Sequence, residues 1–235
     1  MPSSSPTNNP GTLYVVATPI GHRDDITLRA LKVLGKVDLV AAEDTRQTRR
    51  FLMLHGIRNR LVSYHEHNEA ERTPQLIAKL KSGISVALVC NAGTPTVSDP
   101  GYRLVEAAAG SDLNIVPVPG VCAATAVLSV AGMPTDAFIF TGFLTKKKIK
   151  RQRQLDELAT QPRTLIFYES PKRLLALLHD LIDVMGDRRG ALGREITKLH
   201  EETVRGTLGE MLEHFNLHPV KGELVLVIEG AGKRS

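Results

Sequence analysis

Short apolar runs alternate with segments of helical periodicity along almost the whole chain. The runs LYVVAT, DLVAA and VALVC are apolar on both faces, which is typical of strands in a parallel sheet that helices cover. TLRALKVL places Leu28, Leu31 and Leu34 at helical spacing, and PQLIAKLKSG is predicted to be a helix with a proline start and a glycine stop. This rhythm predicts an α/β fold for the first half of the chain.

The second half keeps strands and helices but in a less regular rhythm. FIFTG, TLIFYE and ELVLVIEG are predicted strands, and their irregular spacing favours a mixed sheet. Between the halves, PVPGVCAA carries two prolines and a glycine, as expected of a domain junction. We therefore predict two α/β domains: a disordered tail over residues 1–10, an N-terminal α/β domain over residues 11–118 and a C-terminal α/β domain over residues 119–235.

Composition narrows the class of protein without naming a function. The 235 residues are 42% apolar, which is enough for a buried core, and no apolar run is long enough to span a bilayer. Cys90 and Cys122 lack metal-ligand spacing, so we expect reduced thiols, no metal and a cytoplasmic location. The formal charge of +5 is local, because KKKIKRQR alone holds six basic residues and no acid. Such a block is either a solvated loop or a contact for a polyanion.

Candidate chemistry is concentrated in four loops that follow predicted strands. In open α/β sheets ligands bind beyond the carboxyl ends of strands, and here those loops are ATPIGHRDDIT, AEDTRQTRR, NAGTPTVSDPG and PVPGV. Asp44 and Thr45 could be helix caps, and the arginines that follow could be a solvated stripe. Neither a P-loop nor a dinucleotide fingerprint is present, so the loops suit a ligand without a pyrophosphate.

Several long motifs carry a resemblance to one known family. The motifs are LYVVATPIGHRDDITLRALKVL, AAEDTRQTRRFL, SYHEHNE, NAGTPTVSDPGYRLV, GMPTDAFIFTGFL, IFYESPKRL, REITKLHEE and KGELVLVIEG, in order from Gly11 to Gly230. Together they resemble the ribosomal RNA small subunit methyltransferase I family. The resemblance implies a tetrapyrrole methylase fold with S-adenosyl-L-methionine (SAM) in a cleft between two domains. It also implies a homodimer that methylates the ribose 2′-hydroxyl of a cytidine in the decoding region of small-subunit (16S) ribosomal RNA, free or in the assembled subunit.

The resemblance also assigns a cofactor pocket. The residues that it implies for SAM binding are Thr18, Pro19, Gly21, Gly93, Thr94, Pro95, Ser98, Asp99, Pro119 and Gly120. The chain departs from the family pattern at Asn91, where the family usually has Asp, and at Val121 and Cys122, where it usually has Pro and then Ser or Cys. Any role that needs a carboxylate at Asn91 is therefore in doubt.

Two further sets of residues are candidates for the reaction with RNA. The side chains whose chemistry suits a general base are Asp99, Glu43, Asp44, His65, Lys198 and Glu201, and the sequence does not choose between them. We favour Glu201 or Lys198 in TKLHEE as neighbours of the ribose. The residues expected to contact RNA phosphates are Arg46, Arg49, Arg50, Lys146, Lys147, Lys148, Lys150, Arg151 and Arg153.

Two other functions remain open from the sequence. One is methylation of a tetrapyrrole or of a translation factor on the same fold, which would not need the basic block. The other is a non-catalytic RNA-binding assembly factor that has lost SAM. The intact Gly93-Thr94-Pro95 and Pro119-Gly120 motifs speak against the second.

Overall fold

The computed structural model describes residues 9–232 of the chain. Residues 1–8, which form most of the predicted tail, lie outside the described residues. The chain divides into two compact units between Cys122 and Ala123. The boundary expected from the sequence, after Val118, precedes this division by one short loop. No helix within residues 9–232 has both the length and the apolar character needed to cross a membrane.

The N-terminal unit is built on a five-stranded sheet in which every neighbouring pair of strands is parallel. The sheet order is β3-β2-β4-β1-β5. The elements of this unit are β1 (Leu13–Val16), α1 (Leu28–Lys36), β2 (Leu39–Ala42), α2 (Thr45–Leu54), β3 (Leu61–Ser63), α3 (Glu69–Lys81), β4 (Val86–Val89), α4 (Tyr102–Ala109) and β5 (Ile115–Val118). The parallel sheet that the doubly apolar strands predicted is thus confirmed.

Helices cover both faces of this sheet. Leu76 of α3 and Leu104 of α4 pack with Leu88 of β4 in one buried cluster. Leu34 of α1 and Leu52 of α2 pack in a second cluster with strand residues of the other face. All four residues of β4 are buried, since this strand is covered on both faces. The arrangement leaves the carboxyl edge of the sheet to the loops that the sequence singled out.

The C-terminal unit contains a five-stranded mixed sheet, as predicted. Its elements are α5 (Ala123–Ala131), β6 (Phe138–Phe143), α6 (Lys148–Leu158), β7 (Thr164–Glu169), α7 (Leu174–Met185), β8 (Arg189–Arg194), β9 (Glu202–Thr207), α8 (Leu208–Leu217) and β10 (Leu224–Ile228). The order is β6-β7-β10-β8-β9. β6 and β7 are parallel, and the other neighbouring pairs are antiparallel.

Three element assignments from the sequence were wrong, and the first two concern α3 and β9. Helix α3 begins at Glu69, so Pro74 lies inside the helix and does not start it. The preceding residues, EAER, are mostly good helix formers, and Thr73 and Leu76 are buried on the packed face. The sequence also missed strand β9. Its residues, ETVRGT, are only partly buried at the edge of the sheet, so they carry no apolar run that periodicity could detect.

The basic block is helical, which corrects the predicted loop. It spans the turn before α6 and the first half of that helix. Arg151 is only 5% exposed, and its Nε lies 2.7 Å from Oδ2 of Asp180, which is 1% exposed. The guanidinium Nη2 contacts the same oxygen at 2.6 Å. Since breaking one partner of a buried pair typically costs about 3–5 kcal/mol, Arg151 belongs to the core of this unit and is not available to RNA.

A candidate cofactor site at the carboxyl edge of the parallel sheet

The loops that follow β1 and β4 are fastened to each other at the carboxyl edge. The backbone N–H of Thr18 donates to the carbonyl of Gly93 at 2.8 Å, and the N–H of Gly93 donates back at 2.9 Å. The Thr18 hydroxyl also donates to the carbonyl of Cys90 at 3.2 Å. Two adjacent strands therefore end in a short antiparallel bridge, which fixes the position of both loops. We call this pair of reciprocal bonds the Thr18–Gly93 bridge.

The loop after β5 joins the same assembly. The Thr94 hydroxyl donates to the carbonyl of Val121 at 3.1 Å, which ties the β4 loop to the β5 loop. A Cβ atom on Gly120 would lie 2.9 Å from the Cβ of Ala17, a distance that side chains do not reach without a shift. Glycine is therefore required at Gly120, because the backbones after β1 and β5 approach so closely. Three of the four candidate loops form one continuous floor.

The backbone of the β4 loop is held in conformations that most residues avoid. Thr96 has a φ of 73° and Ser98 a φ of 62°, although neither is a glycine. Such residues cost about 1–3 kcal/mol each and persist only where the surroundings fix them. Because such residues are enriched at ligand sites, the Gly93–Gly101 segment is the candidate ligand-contacting part of the floor.

Glu43 holds the first residue of the β4 loop from the neighbouring strand. Its Oε2 accepts the backbone N–H of Asn91 at 3.0 Å, and Nε2 of Gln47 donates to the carbonyl of Asn91 at 3.2 Å. The side-chain Oδ1 of Asn91 is buried and has no hydrogen-bond partner within residues 9–232. A buried acceptor without a donor is costly, so it fits a ligand that brings an N–H or O–H group. The amine groups of SAM are donors of that kind.

The local electrostatics keep Cys90 inert. Burial raises the pKa of the Cys90 thiol, and the carboxylates of Asp99 and Glu43 raise it further. The thiol donates to the carbonyl of Ala92 at 3.2 Å. Because the thiolate is the reactive form, Cys90 does not act as a nucleophile. Asp99 and Glu43 therefore both lie close enough to the buried Cys90 thiol, at the end of β4, to influence it.

Asp44, another candidate base, caps helix α2. Its Oδ1 accepts the backbone N–H groups of Arg46 at 2.8 Å and of Gln47 at 3.1 Å. The hydrogen bonds from Gln47 and then from Arg46 hold the pKa of the Asp44 carboxyl below its usual range. A carboxylate with a lowered pKa is a weaker base and therefore a poor proton acceptor. The helix-cap role, which the sequence left open, is the one that the structure shows.

Lys198 and Glu201 brace a loop of the C-terminal unit. Nζ of Lys198 contacts Oε1 of Glu195 at 2.9 Å and Oε2 of Glu223 at 3.0 Å. Partial burial works to lower the pKa of Lys198, but the bonds to Glu195 and Glu223 outweigh it and raise that pKa. Oε2 of Glu201 accepts the N–H of Thr197 at 2.6 Å. A lysine held in its charged form cannot take up a proton, so the preference for these two residues loses its support.

His65 lies just beyond the end of β3, at the outer end of the same edge. Its Nε2 lies 3.2 Å from Nδ2 of Asn68, and within residues 9–232 its buried Nδ1 has no hydrogen-bond partner. The ring packs against His67 with centroids 5.9 Å apart. The described residues contain no group of three or more side chains that could hold a metal ion.

The expected RNA contacts divide into exposed and buried residues. Arg46, Arg49 and Arg50 are exposed along α2. The other exposed candidates flank or begin α6: Lys146, Lys147, Lys148, Lys150 and Arg153. Arg151 alone is buried, as described above.

Sequence reasoning missed two features of the site. The bond from Glu43 to the Asn91 peptide and the unpartnered Asn91 Oδ1 depend on which strands are neighbours in the sheet. Periodicity identifies strands but not their order, so no signal in the sequence connects Glu43 with Asn91. In contrast, all ten residues that the resemblance implies for SAM binding lie in the three joined loops.

Comparison with known proteins gives the family. The family of tetrapyrrole (corrin/porphyrin) methylases matches residues 12–212. A ribosomal RNA small subunit methyltransferase I of Mesorhizobium japonicum is 50% identical over 218 residues, which is 92% of this chain and 74% of that protein. The protein of the same name from Thermotoga maritima is 44% identical and covers 94% of this chain and 99% of its own length.

Solved structures share the fold at lower identity. A cobalt precorrin-4 methyltransferase superposes with a TM-score of 0.69 at 17% identity, covering 93% of this chain and 94% of the other. Uroporphyrin-III C-methyltransferase from Thermus thermophilus, complexed with S-adenyl homocysteine, gives 0.65 at 19% identity, with 95% and 98% covered. The chain therefore belongs to the tetrapyrrole methylases and, within them, to the ribosomal RNA small subunit methyltransferase I family.

Proposed function

We propose that this chain uses SAM to methylate the ribose 2′-hydroxyl of a cytidine in the decoding region of 16S ribosomal RNA, as a homodimer in the cytoplasm. We infer the RNA substrate from relatives named ribosomal RNA small subunit methyltransferase I, to which this chain is 43–50% identical over nearly its whole length. The ribose position, the cytidine, the dimer and the location rest on the family resemblance of the motifs.

The cofactor is proposed to lie on the floor formed by the three joined loops. The residues that would line it are Thr18, Pro19, Gly21, Gly93, Thr94, Pro95, Ser98, Asp99, Pro119 and Gly120. Within residues 9–232 the buried Oδ1 of Asn91 has no hydrogen-bond partner, so it can accept a donor from the cofactor. When bound, SAM supplies an activated methyl group on a cationic sulfur.

The chain's own contribution is mainly alignment. Methyl transfer to a hydroxyl is an in-line displacement, so the 2′-oxygen must be held on the axis of the bond that breaks. Holding two reactants in such geometry contributes about 7–11 kcal/mol in favourable cases. A floor of three loops joined by hydrogen bonds suits this task, because those bonds fix the loops relative to one another before the cofactor binds.

Proton removal from the 2′-hydroxyl is proposed to involve Glu43 or Asp99. Asp44, Lys198 and Glu201 are engaged in the structural bonds described above. Glu43 also makes a structural bond, but its partner is the Asn91 N–H of the β4 loop itself, and both Glu43 and Asp99 influence the buried end of β4, next to the strained loop. They are the carboxylates that lie where the cofactor floor begins.

The proposed function predicts a specific product. Small ribosomal subunits isolated from a strain that lacks this gene should accept one labelled methyl group per subunit from SAM in the presence of the purified chain. Primer extension at low nucleotide concentration should then stop at one cytidine of the decoding region, as it does at a 2′-O-methylated ribose. Label on a base, or on no RNA at all, would contradict the proposal.

Replacement of the base should lower turnover. For the residue that accepts the proton, Glu43→Gln or Asp99→Asn should reduce kcat by about 10²- to 10⁴-fold and remove one ionisation from the pH profile of kcat/KM. The matched control is Asp44→Asn, an isosteric change at a helix cap, which should leave kcat unchanged. Wild-type turnover in both test variants would show that water takes the proton.

The exposed lysines around the start of α6 are proposed to bind RNA phosphates, together with the arginine face of α2. Replacing Lys146, Lys147, Lys148 and Lys150 with Gln should weaken RNA binding. The slope of log binding constant against log salt concentration should become smaller by up to about 0.7–0.9 per lost phosphate contact. SAM affinity should stay at the wild-type value. RNA affinity that is unchanged at low salt would contradict this assignment.

A further inference from the structure

The amino-terminal edge of the parallel sheet, opposite the cofactor floor, carries a second basic surface. Two depressions of about 640 Å³ and about 220 Å³ open there, beside the residues that precede β2 and β4. Their cationic lining residues are Arg29, Lys32, Lys36, Arg58, Arg60 and Lys79. All six are exposed, and we call them the amino-edge surface.

The positive charge of this surface is almost unopposed. Asp38 is the acid among the lining residues, and its Oδ2 already accepts the backbone N–H of Ser85 at 2.8 Å. None of the six cations forms an ion pair within the described part of the chain, residues 9–232. Six unpaired cations on one edge repel one another, so the surface favours a polyanion.

Helix ends explain only part of this charge. Lys36 and Lys79 lie in the last turns of α1 and α3, where a cation interacts favourably with the helix dipole. Arg58 and Arg60 lie in the loop before β3, and Lys32 lies in the middle of α1. Their positions call for a different explanation.

The two arginines of the loop are held in place by the residue between them. Nδ2 of Asn59 donates to the carbonyls of Leu34 and Val37, each at 2.8 Å, at the end of α1. This anchor fixes the backbone from which Arg58 and Arg60 project. Because a pre-formed cationic site loses less entropy on binding, the arrangement suits a rigid anion such as a phosphate of structured RNA. Guanidinium groups bind phosphate oxygens in a two-point geometry that lysine cannot provide.

We propose that the amino-edge surface is an RNA phosphate-binding site, separate from the methyl-transfer site, that holds a distant part of the ribosomal RNA substrate. The proposal rests on the proposed function for the identity of the RNA. The strands between the two edges have about four residues, so the edges are separated by roughly 13 Å or more. The surface therefore lies at the opposite edge of the sheet from the proposed methyl-transfer site, and its proposed contribution is affinity and orientation.

A variant that lacks three of the positive charges tests this site against a matched control. The test variant is Arg58→Gln/Arg60→Gln/Lys79→Gln, and the control is Arg163→Gln/Arg189→Gln/Lys221→Gln, three exposed cations of the C-terminal unit. Binding to naked 16S RNA and to small subunits from the deletion strain is measured at several salt concentrations. The test variant should bind both about tenfold or more weakly near 0.15 M salt, with a log–log salt slope smaller by about 2–3. The control should retain most of its affinity, and both variants should keep wild-type SAM affinity and thermal stability.

Three results would contradict the proposed site. The first is a salt slope of the test variant equal to that of the wild type, and the second is an equal loss of affinity in the control. The third is a loss of affinity for small subunits in a test variant that binds naked RNA normally. The third would assign the surface to a ribosomal protein. Failure of the proposed function is a separate result: a wild-type chain that transfers no methyl group to RNA. Even then, the comparison of slopes would still decide whether the surface binds RNA.

Discussion

The Thr18–Gly93 bridge is the constraint on which the candidate site depends. Parallel strands are bonded along their length, but the chain leaves each strand at the carboxyl edge with unpaired backbone groups. Here two of those loops satisfy each other through reciprocal bonds of 2.8 and 2.9 Å. Thr94 then attaches the third loop through Val121. A site of this kind is built from main chain, so its shape depends on glycine and proline more than on large side chains.

The same constraint explains why polar side chains near the site have fixed roles. Glu43 satisfies the Asn91 N–H, and Asp44 satisfies the first N–H groups of α2. Within residues 9–232, the buried Oδ1 of Asn91 is left without a hydrogen-bond partner. In a buried position such an atom is tolerated where a ligand completes it. The C-terminal unit shows the contrasting case, since its buried Arg151 bonds to Oδ2 of Asp180 and Gln152 donates to the other oxygen of that carboxylate.

Much of the fold could be predicted from the sequence, because buried strands and amphipathic helices have distinct periods. The parallel sheet of the first unit follows from strands such as VALV that are apolar on both faces. Strand β9 was missed since an edge strand is only partly buried and shows no apolar run. The first half of α6 was predicted to be a loop because the basic block conceals one buried arginine, whose partner Asp180 lies in another helix.

The sequence was enough to locate the loops of the site but not the contacts between them. Motifs such as NAGTPTVSDPG mark the loops, whereas the bonds between them depend on strand order and register. The basic charge was assigned to one block, yet the amino-edge surface collects cations from α1, α3 and the loop before β3. No stretch of sequence contains that surface, because the sheet brings these segments together.

The most direct test of the account is the affinity of one glycine variant for SAM. In Gly120→Ala the new methyl group would lie 2.9 Å from the Cβ of Ala17, so the β1 and β5 loops must separate. In the control Gly35→Ala, a change inside α1, the nearest atom is 3.9 Å away. By calorimetry, the Kd for SAM should rise at least about tenfold, or roughly 1.4 kcal/mol, in Gly120→Ala and stay unchanged in the control. A folded Gly120→Ala variant with wild-type affinity would contradict the claim that the joined loops hold the cofactor.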